Sequence, residues 1–254
     1  MKTNKTQTAL ITGGGSGMGR AAAEALAKLD IHVFVADVNT EAAEETARLV
    51  RANGGKADAM SVDIASGKAV ADLFSNLRQK TRKLDMLVHT AAISGGIVFL
   101  EDMSDEEWQK MLDINLSGVF FCAREAVRWM KENKTGRILL FSSVASLIAT
   151  PGAIHYSAVK GAVNMFGKTL ALEAGKYNIR VNVIAPGYIR TPMLEYLPAG
   201  FQENIIKKTP LKRFGEPAEV ASLVAYLASD EADFITGQVI SVNGGLVIYR
   251  KGFK

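Results

Sequence analysis

Residues 12–19 read Thr-Gly-Gly-Gly-Ser-Gly-Met-Gly and connect a short apolar run, 9–11, to the alanine-rich stretch 20–28. A tight turn from a strand into a helix needs positive φ angles, which glycine adopts at little cost. The missing Cβ atoms also let a phosphate group approach the backbone, and the N-terminus of the helix offers free N–H groups and a positive dipole end. This setting predicts a pyrophosphate-binding turn. Its residues are Gly13, Gly15, Ser16, Gly17, Met18 and Gly19.

Apolar runs alternate with helical patterns along the whole chain. The runs span residues 9–11, 32–36, 57–62, 86–88, 138–141, 181–184 and 239–242. Strands buried on both faces of a parallel sheet lose the alternation of apolar and polar residues, as these runs do. The β-α-β-α order therefore predicts one α/β domain over residues 1–254, a seven-stranded parallel sheet with helices on both faces. Thr40 and Ser104 are predicted helix N-caps, because acidic residues follow each of them.

Composition excludes several classes of protein. The 254 residues are 48% hydrophobic and 22% charged, which is typical of a globular chain. The 30 basic and 26 acidic residues are scattered, so we expect no nucleic-acid partner. Cys122 is the sole cysteine, which excludes an intramolecular disulfide and a cysteine-based metal cluster, and we expect no metal. The polar start of the chain and the lack of a long apolar run predict a cytoplasmic protein with no membrane partner.

The second apolar run ends at Asp37. A carboxylate there can accept hydrogen bonds from both ribose hydroxyls of an adenosine, and it would repel a 2′-phosphate. Neither Asp37's neighbours, Ala36 and Val38, nor the glycine turn is basic, so the pattern predicts NAD(H) rather than NADP(H). Val38 is a further candidate for the adenosine end, as are Asp63 and Ile64 after the third run. The alternative is that Asp37 caps a loop and Asp63 is a turn residue.

Tyr156-Ser157-Ala158-Val159-Lys160 places a phenol and an ammonium one helical turn apart, on the same face of a helix. A free tyrosine has a pKa near 10 and is a poor base at neutral pH, but a nearby cation lowers that pKa. The pair therefore predicts general acid–base chemistry on an alcohol or carbonyl oxygen. The spacing by itself also fits a surface tyrosine beside a surface lysine.

These patterns together resemble the short-chain dehydrogenase/reductase family, and the resemblance extends from Thr8 to Gly245. It rests on the glycine turn, on Asp37 and on Tyr156-x-x-x-Lys160. The other matching segments are Asp63, Asn115, Ser143, Pro186-Gly187, Thr191, Arg213-Phe214-Gly215-Glu216-Pro217 and Thr236-Gly237-Gln238 with Asn243-Gly244-Gly245.

The resemblance implies a single-domain Rossmann fold and reversible hydride transfer between NAD(H) and a secondary alcohol or ketone. Tyr156 would be the acid/base, and Ser143 would hold the substrate oxygen near it. Lys160 would bind the nicotinamide ribose and lower the tyrosine pKa, and Asn115 would hold a water in a proton relay to Lys160. The remaining cofactor contacts would come from Ala91, Pro186, Gly187, Ile189 and Thr191.

The chain departs from the family pattern after the fourth run. The family usually has Asn-Asn-Ala-Gly there, and this chain has His89-Thr90-Ala91-Ala92. The Thr90 hydroxyl can still bond to the backbone, so cofactor binding should persist. His89 is interpreted as a histidine at the end of the sheet that faces the cofactor cleft. Asn243 in place of the more usual aspartate is a conservative change.

The substrate pocket is predicted to include the segment 191–210, a candidate lid, whose prolines and glycine interrupt short apolar pieces. The predicted substrate contacts are Ser143, Ala145, His155, Tyr188, Met193 and Leu197. The pocket segments are mostly apolar, so we expect an uncharged, fairly apolar alcohol or ketone. A 3-oxoacyl-thioester reductase and a non-catalytic cofactor-binding regulator are the alternatives.

The resemblance also implies a homotetramer, which would form through helices around residues 105–132 and 156–176 and the last strand. The bulky residues that could serve these contacts, or else the core, are Trp108, Met111, Phe120, Phe121, Trp129 and Phe166.

Overall fold

A computed structural model describes residues 7–195 and 197–247. Its seven strands form one parallel sheet in the order β3-β2-β1-β4-β5-β6-β7. The strands are β1 (Thr8–Thr12), β2 (His32–Asp37), β3 (Ala57–Ser61), β4 (Met86–His89), β5 (Gly136–Phe141), β6 (Ile179–Pro186) and β7 (Val239–Val242). The predicted Rossmann fold and its seven-stranded sheet are confirmed.

Helices cover both faces of this sheet. They are α1 (Gly17–Ala27), α2 (Thr40–Ala52), α3 (Gly67–Lys80), α4 (Asp105–Leu112), α5 (Gly118–Asn133), α6 (Ile154–Ala174), α7 (Pro192–Glu195), α8 (Ala199–Lys208) and α9 (Pro217–Ala228). Helices α3, α5 and α6 bury their apolar residues against one face, and α1, α2 and α9 against the other. No helix in the described part of the chain is both long and apolar enough to cross a membrane.

Local capping explains where two of the helices begin. Ser104 caps α4 with a complete capping box: its Oγ accepts the N–H of Glu107, and the Glu107 carboxylate accepts the N–H of Ser104. The predicted cap at Thr40 is wrong by one residue. Asn39 is the N-cap of α2, because its backbone is extended and its Oδ1 accepts the N–H of Ala42 at 3.0 Å. Thr40 is already helical.

Two of the bulky residues considered for subunit contacts lie inside the chain. Met111 and Trp129 are each 1% exposed, and Trp129 belongs to the core between the sheet and α5. A contact with a second subunit through these two side chains is therefore excluded. Trp108 and Phe120 are exposed, at 38% and 43%.

The segment 191–210 contains the helices α7 and α8 rather than irregular chain. Leu194 and Ile205 pack with Phe214 in a small apolar cluster of their own, separate from the two cores on the sheet. Packing in this cluster holds α7 and α8 against Phe214.

The order of the strands in the sheet determines where the candidate site lies. The sheet reverses its winding direction between β1 and β4, and ligands of such sheets bind at the carboxyl ends of the strands beside that reversal. The glycine turn follows β1, and residues 89–92 follow β4. Both segments therefore meet at one crevice.

Candidate active site

The glycine turn has the geometry that phosphate binding requires. Gly13 and Gly17 have φ angles of +70° and +50°. A Cβ atom on Gly13 would lie 2.5 Å from the backbone of Ala91, and one on Gly19 would lie 2.2 Å from the Gly13 carbonyl oxygen. Helix α1 begins at Gly17, and no side chain caps its N-terminus. Its first N–H groups and its dipole are therefore available to a pyrophosphate.

Asp37 is held at the edge of this turn. One carboxylate oxygen accepts the N–H of Gly15 at 2.9 Å, and the other accepts the N–H of Asn39 at 3.0 Å. Each oxygen has a second lone pair left for a ribose hydroxyl. Val38, next to Asp37, is 73% exposed, so its side chain is available to an adenosine.

Arg20 is a basic residue near the turn that the sequence patterns did not reveal. Its Nη2 donates to the Gly15 carbonyl oxygen at 2.6 Å, and its Nε donates to Thr46 Oγ1 at 2.9 Å. The guanidinium braces the turn against α2. Its position in the first turn of α1, directly after Gly19, was the available signal.

Asp63 and Ile64 follow β3 at the adenosine end of the crevice. The Asp63 carboxylate accepts the N–H of Ala65 at 2.9 Å, which is the geometry of a turn residue. Ile64 is buried against Gly118, where an added Cβ would lie 2.8 Å from its Cδ1. Ile64 can therefore offer a cofactor its backbone but not its side chain.

The unusual segment after β4 still braces the turn. Thr90 Oγ1 lies 2.8 Å from the Thr12 carbonyl oxygen and 3.1 Å from that of Gly13. The expected backbone bond of the Thr90 hydroxyl is thus confirmed. His89 is buried and does not line the cavity beside the cleft, so it is not exposed there as expected, and its Nδ1 lies 2.8 Å from Thr12 Oγ1 of the neighbouring strand. Burial, and then the charge of Lys160, lower the pKa of His89 to about 3.

Tyr156 lies on α6 and Ser143 follows β5, and both residues line the same cavity. Burial raises the pKa of Tyr156, the Ser143 hydrogen bond lowers it, and the nearby phenol of Tyr188 raises it. The net effect of these three causes is an increase in the pKa of Tyr156. In the protein alone the phenol is therefore protonated at neutral pH, ready to donate a proton.

Lys160 lies beneath the Tyr156 ring. Its Nζ is 5.6 Å from the ring centroid and donates to the Phe141 carbonyl oxygen at 3.0 Å. Burial lowers the pKa of Lys160 itself to about 8. The pKa of Tyr156 is raised rather than lowered, contrary to what the resemblance implies, and desolvation is the largest cause.

Asn115 lies in a π-helical turn between α4 and α5 and is fully buried. Its Oδ1 accepts the N–H of Ile93 at 2.9 Å, and its Nδ2 donates to the Ile93 carbonyl oxygen at 2.8 Å. The side chain thereby holds the loop that follows β4. Its part in a water relay stays a prediction.

A cavity of about 350 Å³ opens above Ser143 and Tyr156. It also contacts the predicted cofactor residues Met18, Pro186, Gly187, Ile189 and Thr191, and the predicted substrate residues Ala145, Tyr188, Met193 and Leu197. No side chain among the described residues that line it is charged.

His155 is the predicted substrate contact that does not line this cavity. It is buried behind the wall, with Nε2 3.4 Å from the Gly95 carbonyl oxygen, so the predicted substrate contact is wrong.

The described residues contain no cluster of three or more His, Cys, Asp or Glu side chains suited to a metal ion. The crevice brings together the glycine turn, the Asp37 carboxylate and the pair Ser143 and Tyr156, which face one cavity, with Lys160 buried beneath the Tyr156 ring. This arrangement can orient a dinucleotide and exchange a proton with a substrate oxygen at Tyr156.

Comparison with known proteins agrees with this geometry. A family model described as enoyl-(acyl carrier protein) reductase matches residues 13–247. The chain is 40% identical to a 3-oxoacyl-[acyl-carrier-protein] reductase of Synechocystis sp., over 96% of this chain and 98% of the relative. It is 35% identical to glucose 1-dehydrogenase 2 of Bacillus subtilis, over 96% and 95%.

Solved structures show the same relationship. The crystal structure of levodione reductase superposes with a TM-score of 0.92 at 31% identity, covering 96% of this chain and 98% of that one. A 3-oxoacyl-[acyl-carrier protein] reductase from Brucella melitensis gives a TM-score of 0.90 at 35% identity, covering 96% and 92%. With the matching turn, fold and Ser-Tyr-Lys group, these findings show that the chain is an oxidoreductase and belongs to the short-chain dehydrogenase/reductase family.

Proposed function

We propose that this protein interconverts an uncharged, fairly apolar secondary alcohol and its ketone with NAD(H). The observation that carries the choice of cofactor is the Asp37 carboxylate, fixed by Gly15 and Asn39 where the adenosine ribose would bind. A 2′-phosphate there would meet a negative charge. The uncharged lining of the cavity supports a substrate without a carboxylate or phosphate.

The chain's own residues have separate tasks in this proposal. Ser143 and Tyr156 hold the substrate oxygen, and Tyr156 accepts the hydroxyl proton during oxidation or donates it during reduction. Lys160 keeps a positive charge beside the phenol and supports its deprotonated form. The bound nicotinamide would supply the hydride acceptor or donor. Pro186, Gly187, Ile189 and Thr191 would hold its ring.

The direct test is NADH formation from NAD⁺ with a panel of secondary alcohols. The panel contains hydroxysteroids, cyclic and aryl alcohols, 3-hydroxyacyl thioesters, polyols and hydroxy acids, each also run with NADP⁺. We expect turnover with a neutral, apolar class and with NAD⁺. A robust rate with a small carboxylate-bearing alcohol, and none with neutral ones, would contradict the proposed substrate class.

Replacing Asp37 with serine should change the cofactor preference. Loss of the carboxylate removes its hydrogen bonds to the ribose and its repulsion of a 2′-phosphate, and Arg20 lies near enough to the turn to favour that phosphate. We expect the ratio of kcat/KM for NAD⁺ over NADP⁺ to fall by about 100-fold, which corresponds to about 3 kcal/mol.

Asp63→Asn is the matched control for this substitution. It alters the predicted adenine end, so it should weaken both cofactors alike and leave their ratio within about threefold. An unchanged ratio in Asp37→Ser would show that Asp37 does not select the cofactor.

A 3-oxoacyl-thioester reductase is the second candidate, and the named activity of several relatives favours it. Such an enzyme would reduce a 3-oxoacyl thioester faster than any simple ketone. A comparison of acetoacetyl-CoA with neutral ketones, each with NADH and NADPH, separates the two candidates. Ser143 and Tyr156 face one cavity and Lys160 lies beneath the Tyr156 ring, and this arrangement argues against a regulator without turnover.

We also propose that the protein is a cytoplasmic homotetramer, as is common in the family. The exposed Trp108 and Phe120 support contacts through the region around α4 and α5. Light scattering should give a mass four times that of the 27.3-kDa chain. A monomer at micromolar concentration would contradict the proposal.

A further inference from the structure

His89 ends β4 in the centre of the sheet, between β1 and β5. The strand register pairs it with Thr12 on one side and Leu140 on the other, so the three side chains point to the same face. Leu140 packs in the core beneath α5 and α6 on that face. His89 is therefore on the same side of the sheet as Lys160, which lies on α6.

The two ring nitrogens of His89 have different surroundings. Nδ1 is 2.8 Å from Thr12 Oγ1. Nε2 is buried and has no hydrogen-bond partner among the described residues. A buried polar atom without a partner costs free energy, and native proteins usually give such an atom a partner or an ordered water. Nε2 is thus a buried polar atom without a partner among the described residues, on the same side of the sheet as Lys160.

Lys160 is the charged group that acts on this imidazole. Thr12 and Leu140 carry no charge, whereas Lys160 Nζ donates to the carbonyl oxygen of Phe141, the residue next in β5 to Leu140, the register partner of His89. The Lys160 ammonium has three N–H donors, and the Phe141 carbonyl oxygen takes one of them. A nearby cation favours the tautomer in which Nδ1 carries the proton and the Nε2 lone pair faces the cation. His89 can then act as a hydrogen-bond acceptor.

We propose that His89 is a positioning residue for the reaction, whose Nε2 accepts a hydrogen bond relayed from the Lys160 ammonium by one buried water. The acceptor stabilises the charged form of Lys160 and so maintains the cation beside Tyr156. Neutral imidazole suits this task because it accepts a hydrogen bond without adding a charge to the interior. The inference rests on the proposed hydride-transfer function. It concerns the position at which this chain departs from the Asn-Asn-Ala-Gly pattern of its family.

Two substitutions separate the ring nitrogens. His89→Asn keeps a polar atom near the position of Nδ1, where it can bond Thr12, but leaves nothing at the position of Nε2. His89→Gln reaches the position of Nε2 but gives up the bond to Thr12. If His89 is purely structural, His89→Asn should preserve the wild-type properties better than His89→Gln. If His89 acts through Nε2, His89→Gln should preserve the activity better than His89→Asn.

The pH profile of kcat/KM for ketone reduction is the activity measurement. In His89→Asn the charged form of Lys160 loses its acceptor, so we expect the basic limb to move down by about one pH unit and the rate at pH 8 to fall about fivefold. In His89→Gln we expect the limb within about 0.3 units of wild type, with a lower thermal midpoint. Coincident profiles for wild type and His89→Asn, or equal losses in both variants, would overturn the proposal.

Nitrogen-15 NMR of the histidine rings tests the same idea without turnover. His32→Gln and His155→Gln assign the His89 signals by elimination. We expect Nδ1 to be protonated, Nε2 unprotonated, and the Nε2 resonance to shift when Lys160 is replaced by methionine. A protonated Nε2, or no shift in Lys160→Met, overturns the inference. Because this readout needs no substrate, it stands even if every alcohol and ketone of the panel is inert.

Discussion

Replacing Tyr156 with phenylalanine should lower kcat by about 100- to 10,000-fold while the dissociation constant of NADH stays within about threefold. The substitution removes the hydroxyl that shares the cavity with Ser143 and keeps the ring above Lys160. Steady-state rates with the best alcohol of the panel, and NADH binding followed by its fluorescence, measure the two effects separately.

The pH dependence gives this variant a second signature. Burial raises the pKa of Tyr156, so the phenol holds its proton at neutral pH and alcohol oxidation by the wild type should accelerate as the pH increases above neutrality. Reduction of the ketone needs the protonated phenol and should be supported at neutral pH. The residual activity of Tyr156→Phe should lack this dependence.

Tyr226→Phe is the matched control for Tyr156→Phe. Tyr226 is 41% exposed on α9, and its variant should keep full turnover. Unchanged turnover in Tyr156→Phe would show that another group transfers the proton. Equal losses in both variants would indicate a general effect on folding.

Replacing Lys160 with methionine should abolish at least 99% of turnover and at the same time stabilise the fold. Lys160 is buried, and burial lowers its pKa from 10.5 to about 8. That difference corresponds to about 3 kcal/mol by which the buried ammonium destabilises the native state at neutral pH. Methionine fills a similar volume without a charge, so the free energy of unfolding at pH 7 should increase by about 1–3 kcal/mol.

The direction in which stability changes with pH distinguishes burial of the Lys160 ammonium from other causes of a difference in stability. Between pH 8 and 10.5 the unfolded chain keeps the lysine proton and the native protein has released it, so the Lys160 contribution to stability rises with pH in that window. Urea unfolding of wild type at pH 7 and pH 10 should show this rise relative to Lys160→Met. Lys168→Met, an exposed change on the same helix, should show neither the stabilisation nor the loss of turnover. A less stable Lys160→Met at pH 7 would contradict the assignment.

Local chemistry was enough to predict most of the fold and the cofactor end of the site. The strand–turn–helix at residues 12–19 follows from glycine's freedom at positive φ, and the structure places Gly13 and Gly17 there. The capping box at Ser104 and Glu107 involves residues three apart, so it too is visible in the sequence. The one-residue error at Thr40 arose because adjacent Asn and Thr are both good caps.

Groups that act across the sheet could not be predicted in this way. Arg20 bonds Thr46 of another helix, and His89 turns inward because its register with Thr12 points it to the face beneath α6. His155 lies next to Tyr156 in the chain but points behind the cavity wall towards Gly95. Contacts of this kind depend on how helices pack on the sheet, which no local pattern records.

The sequence by itself determined the order of strands and helices along the chain, the glycine turn, the carboxylate at Asp37 and the pairing of Tyr156 with Lys160 on one helix face. These features depend on backbone preferences and on spacing within one or two elements. Only the tertiary structure decided the electrostatics of the site. Desolvation is the main reason that the pKa of Tyr156 is raised and that of Lys160 is lowered, and desolvation depends on the atoms that every other part of the chain packs around them.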